Sequence, residues 1–324
     1  MSDIEILDGA ILLWLEERGW KSPQRILGGR NNRIFKVLGN EGSAALKIYY
    51  RGPGDSRDRF AAERAFYAVA EQAAVSAPRW LDSDETLGIS LLSWIEGREL
   101  NANTSLDDVH SAAAFLTGVN QGTAAERGVS FDASEARFSI ADHVALLEER
   151  LELLEDAARG WPALADFVSS TLRPFARSAG ERLMGSPDAD FNAWGGRRIL
   201  SPGDFGLHNA LRQDNGRIVF FDFEYSGWDD PVKTAADVFL QPEKPVDWGL
   251  LPDFCDGLDM WPGLEDRVRA WAPFFASKWA VILLGSAARS AARRREFAGE
   301  STDEAVIAAQ IAKAGTVIRR GELV

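Results

Sequence analysis

Cysteine is almost missing: Cys255 is the only one in 324 residues. A lone thiol can neither close an internal disulfide nor build a thiolate metal cluster, which excludes disulfide scaffolds and zinc modules. Histidine is nearly as scarce. His110 and His143 fall in separate predicted helices and His208 in a loop, too far apart to form a metal pair. No stretch reaches the roughly 18 consecutive apolar residues of a membrane span. The N-terminus carries acids where a signal peptide would carry a basic segment. These absences make the cytoplasm the expected location and give no expectation of a membrane partner. Positive charge is also in deficit, with a formal net charge of -13. Nucleic acid needs a basic surface and is not expected as a partner. Two phosphate-binding signatures are missing as well. There is no P-loop, and Gly52-Pro53-Gly54 lacks the third glycine of a dinucleotide fingerprint.

What is present divides into a β-rich first third and a helical remainder, with no internal repeat. Ile4, Leu7, Ile11 and Leu15 space as an amphipathic helix. Arg25–Leu27, Arg33–Leu38 and Ala44–Tyr50 read as strands, the last two joined by the turn Gly39-Asn40-Glu41-Gly42. Asp58–Gln72 reads as a helix, and Pro78–Leu81 and Leu87–Trp94 as further strands. From Leu106 the apolar spacing turns helical over Val109–Asn120, Ile140–Ala158 and Pro162–Gly180. A short β-like island at Arg197–Leu200 and Ile218–Phe223 interrupts before helices resume near Asp247–Leu258, Glu265–Ser286 and Asp303–Arg319. The expected organisation is a small lobe over 1–96 and a larger one over 97–324.

The segment with most chemical content is Ser201-Pro-Gly-Asp-Phe-Gly-Leu-His-Asn209, followed by Phe220-Phe-Asp-Phe-Glu-Tyr225. Asp204 precedes Asn209 by five positions, and Asp222 follows Asp204 by 18, closing the apolar strand Ile218–Phe221. Phosphoryl transfer needs a carboxylate to orient and deprotonate a hydroxyl, and an amide with a second carboxylate to hold Mg²⁺ on phosphate oxygens. Turn formation alone explains Pro-Gly-Asp or His-Asn singly, but not their joint spacing with a strand-borne Asp222. Upstream, Lys47 sits inside the apolar strand Ala44-Ala-Leu-Lys-Ile-Tyr49, with Glu63 16 residues later on a helix. A solvent-facing lysine is the ordinary alternative there, as a surface glutamate is for Glu63.

These motifs resemble the aminoglycoside phosphotransferase and choline kinase superfamily, whose loop reads roughly His-Gly-Asp-x4-Asn followed by Ile-Asp-Phe/Trp-Glu. The run Asp222–Tyr225 is especially similar to choline and ethanolamine kinases. The resemblance spans most of residues 20–240 and is weakest between 125 and 195. It implies an α+β, bilobal, protein-kinase-like fold and an ATP-dependent transfer of phosphate to a small-molecule hydroxyl acceptor. It also implies Asp204 as catalytic base, Asn209 and Asp222 as Mg²⁺ ligands, and Lys47 with Glu63 as the pair that steadies the phosphates. Gly29 and Asn31, in the glycine turn before the second strand, would cradle phosphate with backbone amides. Leu91–Gly97 resembles the interlobe hinge, where backbone groups near Ser93 and Ile95 would meet adenine. The family has an acid matching Asp237 that braces the catalytic loop. One departure is Pro202, which stands where the family has histidine.

Asp229 and Asp230 are expected to cap the helix that Pro231 begins. Five of the eleven tryptophans, Trp228, Trp248, Trp261, Trp271 and Trp279, fall in the part that in the family lines the acceptor pocket. Core packing is their ordinary role, yet aromatic faces also suit ammonium groups, so amino alcohols, aminoglycosides and sugars all stay open as acceptors. Two other functions compete. A catalytically silent nucleotide-binding or interaction protein would bind Mg²⁺-ATP without turnover. A protein kinase is disfavoured because Phe-Glu follows Asp222 where Phe-Gly would be expected, and no Ala-Pro-Glu segment follows.

Overall fold

The computed structural model describes residues 7–26, 32–40, 42–51, 57–101, 103–122, 128–186, 196–298 and 304–324. Helix α1, Gly9–Glu17, opens on Asp8, whose carboxylate accepts from the Ala10 amide at 2.7 Å. Its stripe of Leu7, Ile11, Trp14 and Leu15 is buried, while Leu13 on the other face is exposed. The strands β1 (Lys21–Ile26), β2 (Arg33–Gly39), β3 (Gly42–Ile48), β4 (Trp80–Asp84) and β5 (Ile89–Ser93) form one antiparallel sheet in the order β1-β2-β3-β5-β4.

Strand β3 is central, and its period-2 alternation decides the site. Ala44, Leu46 and Ile48 join Phe35, Val37, Ile89 and Leu91 in the small core beneath α1. Lys47, between Leu46 and Ile48, is therefore turned to the opposite face. That face meets helix α2, Arg59–Gln72, capped by Asp58 through the Ala61 amide at 2.9 Å. Phe66, Tyr67 and Val69 of α2 belong to the large core of the second lobe.

The rest is mainly helical: α3 (Leu106–Asn120), α4 (Ile140–Ala158), α5 (Pro162–Phe167), a π turn at Val168–Leu172, α6 (Arg173–Met184), α7 (Pro231–Leu240), α8 (Leu251–Asp256), α9 (Leu264–Ala298) and α10 (Glu304–Glu322). Ser105 and Asp108 form a reciprocal capping box at the start of α3. Two small antiparallel pieces interrupt the helices. Strands β6 (Arg98–Glu99), β8 (Ala210–Arg212) and β9 (Ile218–Phe220) form one, and β7 (Ile199–Ser201) pairs with β10 (Gly227–Asp229) in the other. The 25 residues Leu264–Ala288 of α9 pass a membrane-span test by length and composition, with a mean hydropathy of 1.2. That window is 72% buried within the fold, which explains why this helix is apolar on several sides. Trp261 and Trp271 are buried, and Trp228, Trp248 and Trp279 pack against the same core.

Candidate active site

The two short β pieces carry the loops. Ser201, at the end of β7, pairs with Gly227 of β10 and starts the turn that leads to Asp204. Its hydroxyl accepts from the Gly203 amide at 3.0 Å, a local brace that follows Pro202. Gly203 has φ +86°, and a Cβ there would stand 2.2 Å from the Tyr225 carbonyl oxygen, so only glycine fits. The close approach locks the Asp204 loop against the segment carrying Asp222. Asn209 closes the loop: its Nδ2 donates to the Asp204 carbonyl at 3.0 Å, and its own carbonyl accepts from Phe221 at 3.0 Å. Asp222 is the next residue and adopts φ +66°. That left-handed conformation costs an ordinary L-residue roughly 1–2 kcal/mol. His208, expected in a loop, lies in a single 3-10 turn, Leu207–Asn209, and brings Nε2 to 3.3 Å from Oδ1 of Asp204.

Lys47 reaches this loop from the sheet. Its Nζ lies 2.6 Å from Asp222 Oδ1, 2.7 Å from Glu63 Oε2 and 3.9 Å from Glu224 Oε2. Glu63 is fully buried, and its other oxygen accepts from the Phe223 amide at 3.1 Å. One helix residue therefore holds both the lysine and the backbone beside Asp222. Phe223 reinforces the link by packing on Phe66 and Tyr67 of α2 and on Phe115 of α3. Burial would depress the Lys47 ammonium, but Asp222, Glu63 and Glu224 outweigh it and hold the group above the ordinary lysine range. Burial pushes the Glu63 carboxyl up against the pull of Lys47. Tyr49, whose hydroxyl is 2.9 Å from Ser90 Oγ, is also raised by burial and by Glu63.

The second carboxylate of the Asp-Phe-Glu run was not singled out from sequence. Glu224 is 2% exposed and accepts from Arg59 at 2.8 Å and from Asn32. Arg59 also donates to the Tyr225 hydroxyl at 2.9 Å. The sequence signal was the Asp-Phe-Glu run itself, which gave this acid no role because its partners lie 165 and 192 residues away.

A second buried lysine lies behind the loop. Lys233 donates to Asp229 at 2.5 Å and stands 3.4 Å from Asp237, which also accepts from Trp279 Nε1 at 2.8 Å. Asp230 alone caps α7, through the Val232 amide at 2.7 Å. Asp229, expected to share that task, is committed to Lys233. Lys278 extends the group towards Glu135, at 3.4 Å, and Glu135 also pairs with Arg150.

Of the residues expected at the site, Lys47 contacts both Glu63 and Asp222, and the Asp204 carbonyl is joined to Asn209 by a hydrogen bond. Ser93 ends β5 with its amide donated to the Arg79 carbonyl at 2.9 Å, and Ile95 follows in the connection to β6. Adenine contact with the Ser93 amide would require opening that bond. Gly29 and Asn31 lie outside the described residues. The donor set suits Mg²⁺: the Asp222 carboxylate is 40% exposed, and Asn209, with Nδ2 engaged, keeps Oδ1 available. No group of three or more His, Cys, Asp or Glu able to hold a metal occurs among the described residues, so phosphate and water would complete the shell.

Solved structures with the same fold include choline kinase LicA from Streptococcus pneumoniae, at 14% identity and TM-score 0.59, covering 96% of this chain and 99% of that one. Macrolide 2'-phosphotransferase MphH from Brachybacterium faecium gives 17% identity and TM-score 0.58, covering 93% and 97%. A thermostable mutant of aminoglycoside phosphotransferase APH(4)-Ia, in ternary complex with ADP and hygromycin B, gives 16% identity and TM-score 0.56, covering 96% and 98%. The fold is thus the expected α+β kinase-like one. No curated protein matches the chain. The model of the phosphotransferase enzyme family matches residues 22–265. With three quarters of its length inside that match and its kinase-like fold, the chain belongs to the phosphotransferase enzyme family.

Proposed function

We propose that this phosphotransferase moves the γ-phosphate of ATP to a hydroxyl of a small molecule, with Asp204 as the base. The observation that carries the reading is that Lys47 on β3 meets both Glu63 on α2 and the distant Asp222, beside a loop whose Asn209 is tied to Asp204. Asp204 orients the acceptor hydroxyl and takes its proton as the oxygen attacks phosphorus. Lys47, charged and held by Glu63, binds phosphate oxygens. Asn209 Oδ1 and the Asp222 carboxylate would hold Mg²⁺. Bound with ATP, Mg²⁺ neutralises charge on the phosphate oxygens. Gly29 and Asn31 support the phosphates through backbone amides, and the hinge near Ser93 and Ile95 receives adenine. The nucleotide lobe is residues 1–96, and the acceptor is bound by 97–324. Amino alcohols, aminoglycosides and sugars are the acceptor classes to screen, because solved relatives of this fold are named for choline and for aminoglycoside and macrolide antibiotics.

The test is steady-state kinetics with an ADP readout on whichever hydroxylated metabolite a screen identifies, with nucleotide affinity measured separately. Asp204→Asn should lower turnover by about 10²–10⁴ and keep ATP affinity. Full turnover in that variant would remove Asp204 as the base. Mg²⁺-ATP binding with no turnover on any acceptor would favour the catalytically silent alternative.

A further inference from the structure

Glu224 has no role in the transfer just described, yet it is one of the most deeply buried carboxylates in the molecule. A carboxylate removed from water is retained only where its charge is compensated and its oxygens are hydrogen-bonded. Here every side chain that supplies the compensation, other than the neighbouring Tyr225, comes from the first lobe. Oε1 accepts from Arg59 at the first turn of α2 at 2.8 Å. Oε2 accepts from the Asn32 side chain and lies 3.9 Å from Lys47 on β3. Asn32 in turn accepts, through Oδ1, from the Tyr50 amide at 3.1 Å, just beyond β3. Asn32 is therefore a bridge: its amide oxygen reads the end of β3, and its amide nitrogen reads a carboxylate of the other lobe.

We propose that Glu224 is a positioning residue for the nucleotide, clasping Asn32, just before β2, and Arg59, at the start of α2, onto the loop that carries Asp222. This inference rests on the nucleotide-binding reading given above. The chemistry separates Glu224 from its neighbour two residues earlier. Asp222 is 40% exposed and can turn to a cation, whereas both oxygens of Glu224 are engaged by nitrogen donors away from solvent. With Asp222 turned to a cation, Glu63 and Glu224 would remain as anionic neighbours of Lys47 and would hold its ammonium between the lobes. The clasp thus sets where β3 and α2, which carry Lys47 and Glu63, stand relative to Asp222, and its ligand is the polyphosphate of a nucleoside triphosphate.

The experiment uses the full-length chain, a fluorescent ATP analogue and MgCl₂. Three quantities are read: the dissociation constant for the analogue at saturating Mg²⁺, the Mg²⁺ midpoint at fixed analogue, and the melting temperature. Asn32→Ala, which deletes the charge-assisted hydrogen bond, and Glu224→Gln, which deletes the charge, should each raise the dissociation constant about tenfold. The Mg²⁺ midpoint should hold, and Asn32→Ala should melt within a few degrees of the parent. The double variant should lose less than the two single losses combined, because Asn32 and Glu224 share one hydrogen bond. Unchanged analogue affinity in a folded Asn32→Ala protein overturns the clasp, as do additive effects in the double variant. A shifted Mg²⁺ midpoint with unchanged nucleotide affinity in Glu224→Gln makes Glu224 a metal ligand and overturns it too. Should Glu224→Gln fail to fold, Asn32→Ala decides alone. A parent protein that does not bind the analogue overturns the nucleotide reading, and the clasp falls with it; binding by the parent and by both variants alike overturns the clasp only.

Discussion

Lys47 and Lys233 are both buried lysines among carboxylates, and they are built differently. Lys233 is held by Asp229 and Asp237, each four residues away and each buried. Asp229 ends β10 and Asp237 lies on α7 with Lys233, so the cluster closes within one short stretch of chain. Lys47 takes Glu63 from α2 and Asp222 and Glu224 from the other lobe, and Asp222 keeps a solvent-facing side. Both ammonium groups are raised by their acids against the effect of burial. The difference lies in whether a partner can leave. A closed cluster stabilises a fold; a cluster with one exposed carboxylate can exchange that partner for a cation and phosphate.

Replacing the lysines one at a time breaks the comparison most directly. Lys47→Met keeps the bulk and leaves Glu63 and Glu224 without their lysine. It should cost about 3–5 kcal/mol of stability and lower turnover by about 10²–10³. Chemical denaturation and single-turnover kinetics measure the two losses. Lys233→Met should lose a similar 3–5 kcal/mol, since Asp229 is left charged and fully buried. Its folded fraction should bind ATP as the parent does; weakened binding would mean that the closed cluster is part of the nucleotide site.

Asp222→Asn sharpens the contrast at smaller energetic scale. An exposed partner contributes about 0–1 kcal/mol to an ion pair, so melting should shift little. Calorimetry should nevertheless show Mg²⁺-dependent ATP binding strongly weakened, and unchanged binding would remove Asp222 from the metal site.

The smallest effect expected is a pH dependence at the margin of the closed cluster. Burial alone would raise the Glu135 carboxyl, but Lys278 and Arg150 hold it well below its ordinary value of 4.5. A depressed carboxyl contributes stability that is complete above the unfolded value and is lost as pH falls towards the folded one. Glu135→Gln should therefore melt below the parent near neutrality, with the gap narrowing below pH 4.5. Melting curves from neutrality into acid test this, and a constant gap would contradict it.

Much of the candidate site was legible because phosphoryl transfer asks for particular residue types at short spacings. Asp204, Asn209 and Asp222 announced themselves in one loop and hairpin, and alternation along β3 marked Lys47 as the odd residue in an apolar strand. Glu63 was ambiguous, since a fully buried glutamate and a surface one look identical in a helix sequence. Asp229 was read as a cap because Asp-Asp-Pro favours one, but tertiary burial gave it to Lys233. Glu224 was noted as part of the Asp222–Tyr225 run but was given no role, for lack of any local partner.

By itself the sequence determined the periodicities, the caps and the turn chemistry, since each depends on residues a few positions apart. It therefore determined the division into a β-rich and a helical part, and the glycine needed at position 203 follows the same local logic once the Tyr225 carbonyl is beside it. The tertiary structure alone decided which charges meet. Lys47 and Asp222 are 175 residues apart, and Asn32 and Glu224 are 192 apart. Such pairs are specified by how the sheet, α2 and the β8–β9 hairpin pack, because a buried charge takes its partner from whatever the fold brings within a few ångströms.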